Sequence, residues 1–195
     1  MKKAITKSIV GACIIAIAIW AYADCFELCY ELTFLSNFAC GAIILIDGIL
    51  NFFQKKVPAL VYEMVMPCIL GVFTTVFMEL FSIAHFNFGQ QMLFLHSIHP
   101  LVVLLIFLVA TPKLEIKSRK EYLLRVFISP IPFMGYLLFD LIYFFVNHEF
   151  VYGLLEPSDA TALVLIPVAL GCYLLMSFLS YGVIELKKFT DRHII

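Results

Sequence analysis

The chain has 195 residues, of which 63% are hydrophobic and 14% charged, and its mean hydropathy is +1.02. A soluble domain of this size has too few charged residues to cover so much apolar surface, so the composition places residues 1–195 in a single integral membrane domain. A net charge of −1 implies no nucleic-acid partner.

A bilayer crossing takes about 20 mostly apolar residues. Six segments meet that need, at 6–23, 32–53, 58–83, 92–111, 122–146 and 162–186. Each is expected to be helical, because lipid offers an open backbone no other partners. Short connections predict antiparallel neighbours packed together. The expected fold class is all-α, a polytopic bundle of six transmembrane helices.

The first span follows Lys2, Lys3 and Lys7. "AYA" at 21–23 resembles a signal-peptide cleavage site, while Trp20 and Tyr22 equally suit a membrane interface. Cys25 and Cys29 come next, at an i,i+4 spacing that fits a disulfide poorly if the stretch is helical. Cys13, Cys40, Cys68 and Cys172 lie within spans and read as small apolar filler. The second span carries Thr33, Ser36, Asn37, Cys40, Gly41, Ile44, Asp47, Gly48 and Asn51 at intervals of three or four, a small and polar stripe on an otherwise bulky helix. The third offers Glu63, Pro67, Gly71, Thr75, Glu79 and Ser82. The fourth places His96 and His99 on one face. The fifth carries Arg125, Ser129, Pro132, Tyr136, Asp140, Tyr143 and Asn147. Prolines in the third, fifth and sixth spans predict kinks.

Orientation follows from charge. Every Lys and Arg falls before span one, between two and three, between four and five with Arg125 just inside five, or after six. Asp24, Glu27, Glu31, Glu149, Glu156 and Asp159 occupy the opposite loops. The basic side is cytoplasmic by the positive-inside rule, so a multi-pass cell-membrane protein with both termini cytoplasmic is expected.

Ionisable groups are costly in lipid, so their depth is informative. At about 1.5 Å per residue, Thr33, Ser36 and Asn37 lie in the outer third of the membrane. His96 and His99 share that level, Glu79 and Asp140 end in the outer half, and His85 and His148 lie near the outer interface. An outer-half polar cavity between spans two to five is expected. Asp47, Glu63, Arg125 and Glu185 lie in the inner half, with an Asp47–Arg125 pair or a snorkelling Arg125 as the two readings.

"ELTFLSNF" at 31–38, "HSIHPLVVLL" at 96–105, "MGYLLF" at 134–139 and "FVYGLLE" at 150–156 together resemble the androgen-induced (FAR-type) membrane protein family of animals and its bacterial six-helix relatives. The likeness runs in order over nearly the whole chain. It implies a hydrolase of fatty-acid esters of hydroxy fatty acids, with an intramembrane threonine at Thr33 and a histidine at His99, and His96 as the first histidine of the pair. The chain departs from the animal pattern where Pro100 directly follows His99 and where Leu95 stands for an asparagine.

The chemistry is coherent with those residue types. A threonine hydroxyl needs a base, and a neutral histidine supplies one. Asp140 or Glu79 would fix the ring's tautomer, and Asn37, one turn from Thr33 and beside Ser36, would donate to an oxyanion. This route needs no cofactor and takes membrane lipids or a lipid ester as partner. Three other readings stay open. His96 and His99 with Glu79, Asp140 or His85 could hold zinc. Glu63, Glu79, Asp47 and Asp140 could form a proton relay in a transporter. The stripes could serve packing alone.

Overall fold

The structure, a computed structural model, describes residues 1–80, 91–151 and 160–193. His85, Ser82, Glu156 and Asp159 lie outside the described residues, as do the side chains of Glu79 and Gln91. Among the described residues the regular structure is entirely helical. The helices are α1 (Lys2–Ala21), α2 (Leu32–Phe52), α3 (Ala59–Leu80), α4 (Gln91–Leu93), α5 (His99–Ala110), α6 (Arg119–Ile128), α7 (Ile131–Asn147) and α8 (Ala162–His193). A five-residue π segment, Phe94–Ile98, joins α4 to α5. By length and composition α1, α2, Ala59–Met78, Arg119–Asn147 and α8 are each able to cross a membrane, and Phe94–Ala110 is a shorter apolar helix. Several long apolar helices of this kind are compatible with a membrane bundle. The outer surface agrees with that: Leu138, Leu174, Phe145 and Phe178 are 58%, 63%, 67% and 70% exposed. Water would penalise such a surface and lipid does not.

The polar stripe of α2 is its buried face. Thr33, Ser36, Asn37, Cys40, Gly41, Ile44, Asp47 and Gly48 are all buried. The glycines on this face bring α1 close. A Cβ at Gly48 would sit 2.5 Å from the backbone nitrogen of Ser8, and one at Gly41 would sit 2.9 Å from Ile15 Cγ1. A Cβ at Gly11 would collide with the backbone of Leu45 and Gly41. Small residues thus let two helix backbones touch, the usual device of helix pairs in lipid. Below this contact Tyr62, Met66 and Ile69 of α3 pack with Ile44, Val103 and Phe107 as the central core.

Proline sets two interruptions. Pro130 has no N–H and its ring clashes with the carbonyl four residues back, so α6 ends before it and α7 begins after it. The expected span 122–146 is therefore two helices in line. Ser118 caps α6 by accepting the Glu121 N–H at 3.1 Å, while Glu121 accepts the Lys117 N–H at 3.0 Å. The second interruption is at Pro100 and shapes the candidate site.

The charged groups of the inner-half set pair, but not as Asp47 with Arg125. Lys7 Nζ meets Asp47 Oδ2 at 2.5 Å, with both residues buried. The same carboxylate accepts Tyr62 Oη at 2.8 Å and the Val57 N–H at 3.0 Å. Arg125 instead pairs with Glu63 at 2.9 Å and with Glu121 at 3.0 Å. Asp47 lies near the end of α2, close to the start of α1 and of α3, so Lys7 reaches it and Arg125 is not needed. Lys187, fully buried, donates to Leu108 O at 2.9 Å and Asp191 Oδ1 at 2.8 Å, satisfying a carbonyl at the end of α5. These contacts gather the starts of α1, α3 and α6 and the ends of α2, α5 and α8 at one end of the bundle, the end that carries every Lys and Arg.

Candidate functional site

The opposite end holds the starts of α2 and α5 and the far end of α7. Thr33 lies in the first turn of α2 and is 4% exposed. Its Oγ1 stands 3.4 Å from Nε2 of His96. Nδ1 of His96 lies 2.9 Å from the Met92 carbonyl oxygen. A carbonyl only accepts, so Nδ1 carries the proton, and in the neutral ring Nε2 presents a lone pair toward the Thr33 hydroxyl. Nucleophile–base contacts are commonly this loose without substrate.

The π segment explains why His96 faces that way. Pro100 cannot donate an N–H, and its ring crowds the carbonyl of His96 in an ordinary α-turn. The backbone widens instead, and the N–H of His99 bonds to Phe94 O, five residues back. Leu95 O thereby loses its usual donor at His99, and Pro100 has none to offer. Asn37 supplies the replacement, its Nδ2 donating to Leu95 O at 3.2 Å and to Thr33 O at 2.8 Å. With both amide hydrogens so placed, Asn37 Oδ1 accepts from His99 Nδ1 at 3.0 Å.

This geometry redistributes the expected roles. The ring beside Thr33 is that of His96, and His99 faces Asn37. Asn37 spends its donors on two backbone carbonyls, so it does not fit the expected place as oxyanion donor. Asp140 accepts the Val151 N–H at 2.7 Å, and the Met92 carbonyl fixes the His96 tautomer by accepting from Nδ1. Ser36 donates to Thr33 O at 3.4 Å and lines a separate recess with Leu35, Val65 and Pro132. The side chain of Glu79 lies outside the described residues. Met92 was invisible as a participant because backbone carbonyls leave no mark on composition, although its place four residues before His96 was a usable signal.

Thr33 and His96 line a cavity of about 420 Å³. Among the described residues Asp140, Tyr136, Thr74 and Thr75 also line it with polar groups, and its walls are otherwise mostly apolar, among them Leu32, Val72, Leu137 and Leu175. The Thr74 and Thr75 hydroxyls donate to the carbonyls of Gly71 and Val72 at 2.6 and 2.7 Å. Tyr30 in the loop before α2 meets Tyr143 of α7, oxygen to oxygen at 3.1 Å. That hydrogen bond, with burial second, pushes the Tyr30 phenol up to about 12.

Among the described residues no three His, Cys, Asp or Glu side chains converge as a metal site requires. Asp47 and Glu63 are each paired with a cation at the other end of the bundle from Asp140. Among the described residues all six cysteines are free thiols. No family model, curated protein or solved structure matches the chain.

Proposed function

We propose that the chain is a six-span cell-membrane protein with cytoplasmic termini, and that its outer-half cavity hydrolyses lipid-type esters with Thr33 as nucleophile and His96 as base. The observation that carries this reading is the contact of Thr33 Oγ1 with the unprotonated nitrogen of His96 on the wall of an apolar cavity. The resemblance to the androgen-induced family supports the same chemistry, with His96 taking the role its pattern gives to His99. The charge asymmetry supports the orientation.

In this reading His96 Nε2 removes the Thr33 hydroxyl proton as Oγ1 attacks the ester carbonyl carbon. The tetrahedral intermediate collapses with cleavage of the ester C–O bond, and the leaving alkoxide takes the proton from His96. Water then gives a proton to His96 and attacks the acyl-threonine, releasing a carboxylic acid and restoring the Thr33 hydroxyl. The Met92 carbonyl holds the imidazolium formed at each stage through Nδ1–H.

The test is labelling of purified, folded protein with a fluorophosphonate probe, followed by peptide mapping. The expected adduct is on Thr33, absent from Thr33→Ala and His96→Ala. An adduct that persists in His96→Ala, or none in folded wild type, overturns the assignment.

A further inference from the structure

The cavity wall opposite in charge to the bundle's basic end has a particular composition. Phe133, Tyr136 and Asp140 recur at three and four residues along α7, so they share one face, and all three line the cavity. Phe150 lines it too, held beside Asp140 by the bond from the next residue's N–H, Val151, to Asp140 Oδ1. One wall thus combines a carboxylate with three aromatic side chains. No Lys or Arg stands among the described lining residues. The segments outside the described residues, 81–90, 152–159 and 194–195, contain none in their sequence either.

An anionic ligand group in this cavity would face Asp140 with no Lys or Arg to offset it, and with His96 neutral in its resting, base form. An uncompensated buried charge of that kind is strongly disfavoured. A cationic group meets the reverse situation, a carboxylate together with three aromatic rings, a residue type whose negative quadrupole attracts cations. A volume of about 420 Å³ lies toward the small end of ligand cavities and suits one acyl chain better than two.

We propose that the ester taken by this cavity has a cationic alcohol part, an alkylated ammonium held by Asp140 and the rings of Phe133, Tyr136 and Phe150, with its acyl carbonyl at Thr33. The esters of the animal family carry a free carboxylate, for which the described lining offers no Lys or Arg. The proposal rests on the hydrolase reading for the ester, and on the cavity alone for the charge.

The experiment measures equilibrium binding of radiolabelled octyltrimethylammonium to the full chain in dodecyl maltoside, with octanoate and octanol as chain-matched competitors. The Thr33→Ala protein is measured alongside, because binding there is free of turnover. Saturable binding is expected, about tenfold weaker in Asp140→Asn and in Phe133→Leu, with octanoate the poorest competitor. Asn retains an oxygen for the Val151 N–H, so Asp140→Asn keeps the loop contact while removing the charge. Binding that is unchanged in folded Asp140→Asn, or displaced equally by octanoate, overturns the proposal. If the cation binds but fluorophosphonate leaves Thr33 unmodified, the hydrolase reading falls and the charge preference stands. If Thr33 is labelled but the cation does not bind, the charge preference alone falls.

Discussion

Asn37 Oδ1 accepts the His99 Nδ1 hydrogen at 3.0 Å, a contact that ties α2, which carries Thr33, to the start of α5, just after the π segment that carries His96. Asn37 also donates to the carbonyls of Thr33 and Leu95, so one fully buried amide holds both partners of the candidate pair by their backbones. In the proposed chemistry His99 is therefore a positioning residue. Its ring sets the orientation of Asn37 and does not meet Thr33.

Replacing His99 with Phe removes the donor and leaves Asn37 Oδ1 buried without it. Stability is expected to fall by about 1–3 kcal/mol. Ester turnover or Thr33 labelling is expected to fall on the order of a hundredfold, because displacement of a reacting group by about 1 Å has that effect. His99→Gln, which can still donate to Asn37, is expected to recover part of the loss. A base in direct contact with Thr33 would not be rescued by Gln. Labelling rates on the three proteins, with unfolding midpoints alongside, separate the two roles.

Pro100→Ala tests the π segment. Alanine supplies an N–H and relieves the clash with the His96 carbonyl, so the segment is expected to return to ordinary α-turns. Such a change turns His96 about the helix axis and away from Thr33. Thermal stability is expected to hold or rise while Thr33 labelling falls on the order of a hundredfold. Unchanged labelling in a more stable protein would separate the π segment from the chemistry.

Lys7→Ala strands the Asp47 carboxylate in the interior, with the neutral donors Tyr62 Oη, the Val57 N–H and Asn51 Nδ2 as its remaining partners. A loss of about 3–5 kcal/mol is expected in a reversible detergent unfolding titration. Lys7→Met combined with Asp47→Asn removes both charges, keeps an oxygen for the Val57 N–H and turns an amide N–H toward Tyr62 Oη, which can accept it. The double variant is expected to regain most of that loss. If it is no more stable than Lys7→Ala, the pair is not what holds α1 to α2 and α3 at this end.

Much of the fold was legible because helical periodicity records burial. The α2 positions that recur every three or four residues are the ones the bundle covers, and Gly41 and Gly48 on that stripe meet α1. Depth brought Thr33, His96 and Asp140 to one level, and one cavity collects them. Partner choice was not legible. Asp47 and Arg125 both sit near the same end, and sequence spacing cannot say that Lys7 and Glu63 come between them. The exchange of His96 for His99 beside Thr33 had a different cause. An i,i+3 pair shares a face only on a regular helix, and the "HP" at 99–100 widens this one. α6 begins at Arg119, three residues before the expected span at 122, because the Ser118 side chain caps it there and hydropathy does not register a cap.

Cys25 and Cys29 give the orientation a direct test. Both thiols lie in the connection between α1 and α2, outside the long apolar helices. Burial first, and then the charge of Glu27, Glu31 and Asp24, raise the Cys25 thiol above its ordinary value of 9.0. Burial also leads for Cys29, followed by Cys25, Glu27 and Glu31. Only the thiolate reacts with a maleimide, so a raised value means slow labelling at neutral pH and a rate that climbs as pH rises through and beyond 9. In a protein whose other four cysteines are replaced by alanine, a membrane-impermeant maleimide added to intact cells is expected to label this connection. Glu27→Gln removes one of the charges that disfavour the thiolate and is expected to speed labelling at fixed pH. Labelling confined to inside-out vesicles would place this loop, and with it Thr33 and His96, on the cytoplasmic side. The outer-leaflet route for a lipid ester would then be lost even if the Thr33–His96 pair proved reactive.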